Sequence, residues 1–467
     1  MKKVFCIVFS LCLLISCCAQ AENVLWYPQM TEVTPSVWLT TEDGSNAFLE
    51  QYAREDKLQG RIDYVDGAVA VADETTGERL PAMKAQLKVR GNWTLDYPQK
   101  SIRIKFEKKQ NLLGLNEGRE YKSWVLLTEW KDLSKMNSAA GFFLAHQILS
   151  EHGYYCTDYA FVHVYVNEDY RGLYLLTEQQ EVNEGRVEIT EVEKGSEDRY
   201  RGYLMEYDAY FQEEKGLPNA DPVFEVYHTG LGGEQYGYTI KSDIDNTRQV
   251  AFLRTCMRLI YRACYCAITE NRHYVFNDKY TELLEAEGGS AKETVGRVVD
   301  LQSLVDTYIL QEIVVNPDIG WSSFYMSLDM GEEGNRKLTF QAPWDFDSCF
   351  GIRAGYESYE GMYARYAGNP WLQLIASQSW FKEMVRARWQ ELKEKQLPEK
   401  TLQFILDMQA RYAPDFERNY QRWPERIKEG NHELVEEINQ YTSQAQAADY
   451  LYRWLENRFR YLDQHWQ

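Results

Sequence analysis

Asp345 and Asp347 lie two residues apart in APWDFDSCFG, residues 342–351, among Pro343, Trp344, Phe346 and Phe350. Carboxylates rarely occupy so apolar a setting unless they are paired or bound to a metal. In an extended chain both would point to one face, with Phe346 opposite and free to pack inward. A third acid, Asp318, stands about one hairpin upstream in NPDIGWSS. Oxygen-rich groups of this kind suit Mg²⁺ or Mn²⁺ rather than zinc. Phosphoryl transfer uses such a set: one acid orients the attacking hydroxyl, others hold metal on nucleotide phosphates, and cations steady the rest. Each acid taken singly also fits a plainer role, Asp318 capping a turn and the other two capping backbone amides. The three together favour the metal reading.

The cations would come from two strands. AQLKVR alternates Ala85, Leu87 and Val89 with Gln86, Lys88 and Arg90, and SIRIKF alternates Ile102, Ile104 and Phe106 with Arg103 and Lys105. Period two predicts half-buried strands. The Gly, Asn, Asp and Pro of GNWTLDYPQK between them predict a turn. If the strands pair, Lys88, Arg90, Arg103 and Lys105 share one face, either as a solvated surface or as a cradle for a polyanion.

The other elements must carry the acids. SVWLTT, FVHVYVNEDYRGLYLLTE and RGYLMEYD read as strands, the second as a hairpin turning at Asn167 to Gly172. SKMNSAAGFFLAHQILSEHG reads as a helix stopped by Gly153. Residues 211–245, rich in Gly, Glu and Asp, are expected to loop over the surface. DLQSLVDTYILQEIVV places Leu301, Leu304, Val305, Tyr308, Ile309 and Ile313 at helical spacing, with Asp300 as N-cap and Asn316-Pro317 as the stop. KLTFQAPWDFD reads as a strand running into the paired acids, and the chain beyond about 370 is helical. Strands dominate the first half and helices the second, which predicts an α+β fold with two lobes.

The chain has 467 residues, 44% of them apolar, and a net charge of −20. That is enough for a large core and argues against a binder of nucleic acid, which needs a basic surface. The acidity serves solubility and would also suit a basic acceptor. Lys2, Lys3 and the short apolar run VFCIVFSLCLLI read as an export signal over residues 1–21. LISC resembles a bacterial lipobox with Cys17 as the lipidated residue, while AQA, residues 19–21, fits ordinary cleavage before Glu22. Either reading sends the mature protein out of the cytoplasm, and the lipid anchor would be its only attachment to a membrane. Beyond the signal lie Cys156, Cys256, Cys264, Cys266 and Cys349. Cys264 and Cys266 are too close for an ordinary disulfide and lack a second pair for zinc, so helical core cysteines are expected, with one disulfide involving Cys256 left open. HExxH, GxSxG and P-loop patterns do not occur, and GLGGEQYG at 230–237 reads as a flexible loop.

Several long stretches resemble the CotH kinase family, named for spore coat protein H. They are KVRGNWTLDYPQKSIRIKF, LLGLNEGREYKSWVLLTEWKDLS, VHVYVNEDYRGLYLLTEQQEVNEGRVEI, GYLMEYD and APWDFDSCFG, in the family's order over roughly residues 35–355. The resemblance implies an atypical protein-kinase-like fold with a smaller N-terminal lobe, ATP and Mg²⁺ or Mn²⁺ in the cleft, and transfer of phosphate to protein Ser or Thr. On that basis residues 22–360 form the kinase-like domain and 361–467 a helical extension packed on the second lobe. Asp318 resembles the catalytic-loop Asp, and Asp345 and Asp347 the metal-binding element. Lys105 or Arg103 resembles the strand cations that reach the phosphates, and Glu178 is a candidate ion-pair partner. Two departures bear on activity. Ser322 and Ser323 stand where family members often place a metal-binding Asn, and DxSLLRN becomes DLSKMNS, with Asn137 in place of Arg. Two functions therefore stand: an exported kinase acting on a protein or another hydroxyl acceptor, or a surface-tethered binding or structural module on the same fold.

Overall fold

The computed structural model describes residues 26–467, apart from 29, 31, 74–77, 80, 218–219 and 229–234. The predicted signal and Cys17 lie outside the described residues. Eight strands come first: β1 (Ser36–Thr41), β2 (Val65–Asp73), β3 (Glu78–Arg79), β4 (Met83–Val89), β5 (Ile102–Gln110), β6 (Tyr121–Leu127), β7 (Tyr159–Val166) and β8 (Asp169–Glu178). They form one sheet in the order β1-β7-β8-β6-β5-β4-β2-β3, and β1 also pairs with β2, so seven strands close into a barrel. Val69, Leu87, Ile102, Ile104, Trp124 and Val164 fill its interior, each without measurable exposure. Closure leaves the seven strands no free edge. Alternation predicted β4 and β5 correctly, but not that the strands of the first half would close on themselves.

The β7–β8 turn is tighter than expected: only Asn167 and Glu168 turn, and Asp169 to Gly172 already belong to β8. Val166 pairs with Asp169, and Asn167 and Glu168 both take left-handed conformations, φ 47° and 70°. Three further strands follow: β9 (Gly202–Tyr207), β10 (Val223–Tyr227) and β11 (Gln235–Ile240). After them come the two-stranded pair β12 (Tyr274–Phe276) and β13 (Leu283–Glu285), then β14 (Phe324–Asp329) and β15 (Leu338–Phe340). A second sheet runs β10-β11-β9-β14-β15. The expected surface loop over 211–245 is thus corrected. Phe224, Val226, Tyr238 and Ile240 are buried at alternate positions of a hairpin whose Gly and acidic neighbours obscure the period. Gln235 to Gly237, assigned to a flexible loop, belong to β11.

The principal helices are Asn137–Leu149, Thr247–Tyr265, Leu301–Val314, Ser379–Glu394, Leu397–Arg422 and Gln444–His465. Asn137–Leu149 and Leu301–Val314 are buried on nearly every side, and the acids that the latter buries, Asp306 and Glu312, are paired with Arg388 and Arg458. Asp300 caps the latter by accepting from the amides of Gln302 and Ser303 at 3.1 and 3.2 Å. Gly153 follows the first helix in a left-handed conformation. A single core runs from Leu133 to Trp466 and joins these helices to the second sheet. The C-terminal helices share it. All five cysteines among the described residues are buried and unpaired, so the helical-core reading holds and Cys256 forms no disulfide. No described helix is long and apolar enough to cross a membrane.

Candidate functional site

One cavity of about 1470 Å³ is lined both by the outer face of β4–β5 and by the loops that follow the 301–314 helix and β15. The barrel supplies its cations. Lys88 pairs directly with Arg103 across the ladder, and Gln86 with Lys105. Arg90 directly follows β4, its amide bonded to the carbonyl of Ser101 at 2.9 Å. Like charges placed opposite one another are unfavourable without a counter-ion. Among the described residues none of Lys88, Arg90, Arg103 and Lys105 forms an ion pair. Arg103 Nε is buried without a hydrogen-bond partner. Burial, then the Arg103 charge, draws the Lys88 ammonium below its ordinary pKa. The Arg90 guanidinium lies 5.6 Å above the Trp344 ring, and burial lowers its pKa as well.

The acids stand on irregular backbone. The 301–314 helix ends at Val315, left-handed at φ 48°. Asn316 then ties the two acidic loops together. Its Oδ1 accepts from the Asp318 amide at 2.9 Å, and its Nδ2 donates to the Asp345 carbonyl at 3.0 Å. β15 stops at Phe340, three residues short of Pro343, so the strand predicted to carry the acids does not reach them. Ala342 and Asp345 instead take φ of 57° and 66°. The shared orientation nevertheless holds. Asp345 and Asp347 both line the cavity, while Phe346 is buried edge-on against Phe142 at 5.5 Å. Gly141 makes room for that ring, because a Cβ there would overlap it. Non-glycine residues in left-handed conformations are costly and persist only where their surroundings fix them. Here Val315, Ser323, Ala342 and Asp345 concentrate them around one site.

Asp345 Oδ2 accepts from the Ser323 hydroxyl at 3.0 Å, and the Ser323 amide donates to Glu206 Oε1 at 2.7 Å. Asp347 Oδ1 accepts from the Ser348 hydroxyl at 3.0 Å and lies 4.0 Å from Lys131 Nζ. Burial, then the charges of Asp347 and Asp318, push the Asp345 carboxyl up to about 7. Burial also raises Asp318, with Lys131 opposing and Asp347 adding to the shift.

Glu178 departs from expectation. It is fully buried away from the cavity, paired with Arg186 Nε at 3.0 Å and accepting from Asn116 Nδ2 at 2.7 Å and the Asp158 amide at 3.0 Å. It pairs with neither Arg103 nor Lys105. A buried carboxylate takes whichever cation the fold buries beside it, and here that is Arg186. Sequence reasoning also passed over Lys131, Glu206, Arg353 and Glu433, all of which line the cavity. Lys131 in TEWKDLS and Glu206 in GYLMEYD lie inside the stretches that carry the family resemblance. Arg353 and Glu433 carry no such signal.

Among the described residues no three carboxylate, imidazole or thiolate groups converge into a metal cage. A hard cation such as Mg²⁺ commonly needs only one or two carboxylates when phosphates complete its shell. Asp345 and Asp347 fit that requirement, since their mutual repulsion is what a divalent cation would relieve.

Unpaired cations on and beside a β-ladder thus line one cavity with half-buried acids on two loops. The chain belongs to the CotH kinase family: the model of the CotH kinase protein matches residues 87–251 and 268–462. The match takes in the C-terminal helices as well as the strands. No curated protein matches the chain.

Proposed function

We propose that this protein is an atypical kinase of two lobes, the barrel forming the smaller one, that transfers the γ-phosphate of ATP to a Ser or Thr hydroxyl of a protein. The observation that carries this reading is the sharing of one cavity by Lys88, Arg90, Arg103 and Lys105 with Asp318, Asp345 and Asp347. Bound ATP with Mg²⁺ or Mn²⁺ would supply the phosphoryl group to be transferred. The unpaired cations of β4–β5 neutralise phosphate oxygens. Asp345 and Asp347 would hold the metal. Asp318 orients the acceptor hydroxyl and takes its proton, and the burial that raises its pKa makes it a stronger base. Ser322 and Ser323 stand in place of a stronger amide ligand and Ser323 is engaged with Asp345, so the two aspartates would carry the metal.

The acceptor is a protein or another cell-surface component. We place the mature chain outside the cytoplasm, anchored through a lipid on Cys17. Intact-mass analysis checks this: a diacyl or triacyl Cys17 is expected, whereas a chain starting at Glu22 removes the anchor and keeps export. Labelled ATP with Mg²⁺ or Mn²⁺ tests the chemistry. Label should appear on the protein itself or on an added acceptor, and should be lost in Asp318→Asn. A melting curve that neither nucleotide nor metal moves would overturn the reading in favour of a surface-tethered binding module.

A further inference from the structure

Lys131 lies on the segment between β6 and the 137–149 helix, only 7% exposed, and lines the acidic part of the cavity. Its ammonium donates to the Ser348 hydroxyl at 3.0 Å, and lies 3.6 Å from Glu433 Oε2 and 4.0 Å from Asp347 Oδ1. The backbone beneath it is fixed. Arg426 donates from Nε to the Trp130 carbonyl and from Nη2 to the Lys131 carbonyl, both at 2.7 Å. Glu433 is fixed as well, through Arg353 Nη1 at 2.9 Å. The ammonium is therefore shared between two carboxylates, one of which belongs to the candidate metal site.

A lysine ammonium is a compact charge on a flexible stem and changes partners by rotation alone. At 4.0 Å from Asp347 it supplies part of the positive charge that a divalent cation would bring. We propose that Lys131 is an internal counter-ion that keeps free divalent metal off Asp347 until a phosphate group draws the ammonium away. Metal and phosphate then each favour the binding of the other, because each removes an obstacle to the other. This makes Lys131 a positioning residue acting through Asp347, and Glu433 the alternative partner that sets how strongly it does so. The inference rests on the metal- and phosphate-binding reading of the site, but its test needs no nucleotide.

Mn²⁺ is titrated into the nucleotide-free full chain and followed by electron paramagnetic resonance, with folding checked by circular dichroism. Lys131→Met should bind Mn²⁺ about tenfold more tightly than the parent. Glu433→Gln should bind it more weakly, since the ammonium then settles wholly on Asp347. Adding Asp347→Asn to Lys131→Met should erase the gain. Equal Mn²⁺ affinity in folded Lys131→Met and parent overturns the proposal, because a merely structural ion bridge would leave metal affinity unmoved. If Lys131→Met does not fold, Glu433→Gln decides: unchanged or tighter Mn²⁺ binding overturns the proposal. A parent that binds no nucleotide even with Mn²⁺ would sink the kinase reading and still leave these metal affinities to be compared.

Discussion

The two walls of the cavity hold their charges by different means. On one, β4, β5 and the residue after β4 present Lys88, Arg90, Arg103 and Lys105 from a hydrogen-bonded ladder, and the ladder's register alone aligns them. On the other, Asp318, Asp345 and Asp347 stand on loops whose left-handed residues and side-chain bonds to Asn316 and Ser323 fix every position. A ladder tolerates loss of one side chain, because its neighbours keep the backbone in place. A loop over-determined by its contacts does not. Substitutions on the cationic wall should therefore weaken binding in increments, and those on the acidic wall should abolish transfer or disturb the fold.

The largest effect is expected at Asp318. Asp318→Asn should lower transfer by about 10²–10⁴-fold, the range for losing a general base, and leave nucleotide affinity near the parent's. Single-turnover transfer and calorimetric nucleotide titration measure the two arms separately. Gly141→Ala comes next. The added methyl overlaps the Phe346 ring, so urea unfolding should show a loss of about 1–3 kcal/mol, with transfer falling as Asp345 and Asp347 shift. On the cationic wall, Arg103→Ala should weaken nucleotide binding by about 2 kcal/mol, the scale of a charged hydrogen bond. Lys105→Ala should cost less, because Lys105 is exposed where Arg103 is half-buried. A larger loss at Lys105 would break the comparison.

The smallest expected effect is one of pH. The Asp345 carboxyl is raised from its ordinary 3.8 to about 7. Between these values the folded chain keeps a proton that the unfolded chain has released. Its stabilising contribution is full below the ordinary value and is lost as pH rises through about 7. Without metal, Asp345→Asn should raise the melting temperature at alkaline pH by roughly a few degrees and change it little in acid. Calorimetry at the two extremes checks this. A gain at acid pH instead would show that the Asp345 carboxylate is not destabilised by its surroundings.

Much of the cationic wall was legible in advance. Val89, Ile102 and Ile104 face a core while Lys88, Arg90, Arg103 and Lys105 face away from it, and that alternation has one structural meaning. The helix at 301–314, its cap and its stop were equally plain, since all three signals are local. The hairpin of β10 and β11 was not, because glycines and acids masked the alternation of its buried apolar residues. The acids at 345 and 347 were recognised by composition, but the conformation that presents them was misread as a strand. Glu178 failed for a different reason: its partner, Arg186, is brought to it by folding, and nothing in LLTE names it.

By itself, then, the sequence determined which residues are candidates for the chemistry and which local elements would carry the cations, because period two and helix capping act between near neighbours. Only the tertiary structure decided that the strands close into a barrel and that Gly141 is the residue that makes room for Phe346. It alone brought Glu433, from the C-terminal region, beside Lys131 and Asp347. Those outcomes depend on contacts between residues tens to hundreds of positions apart, where burial of apolar surface and pairing of buried charge select among partners that no local pattern distinguishes.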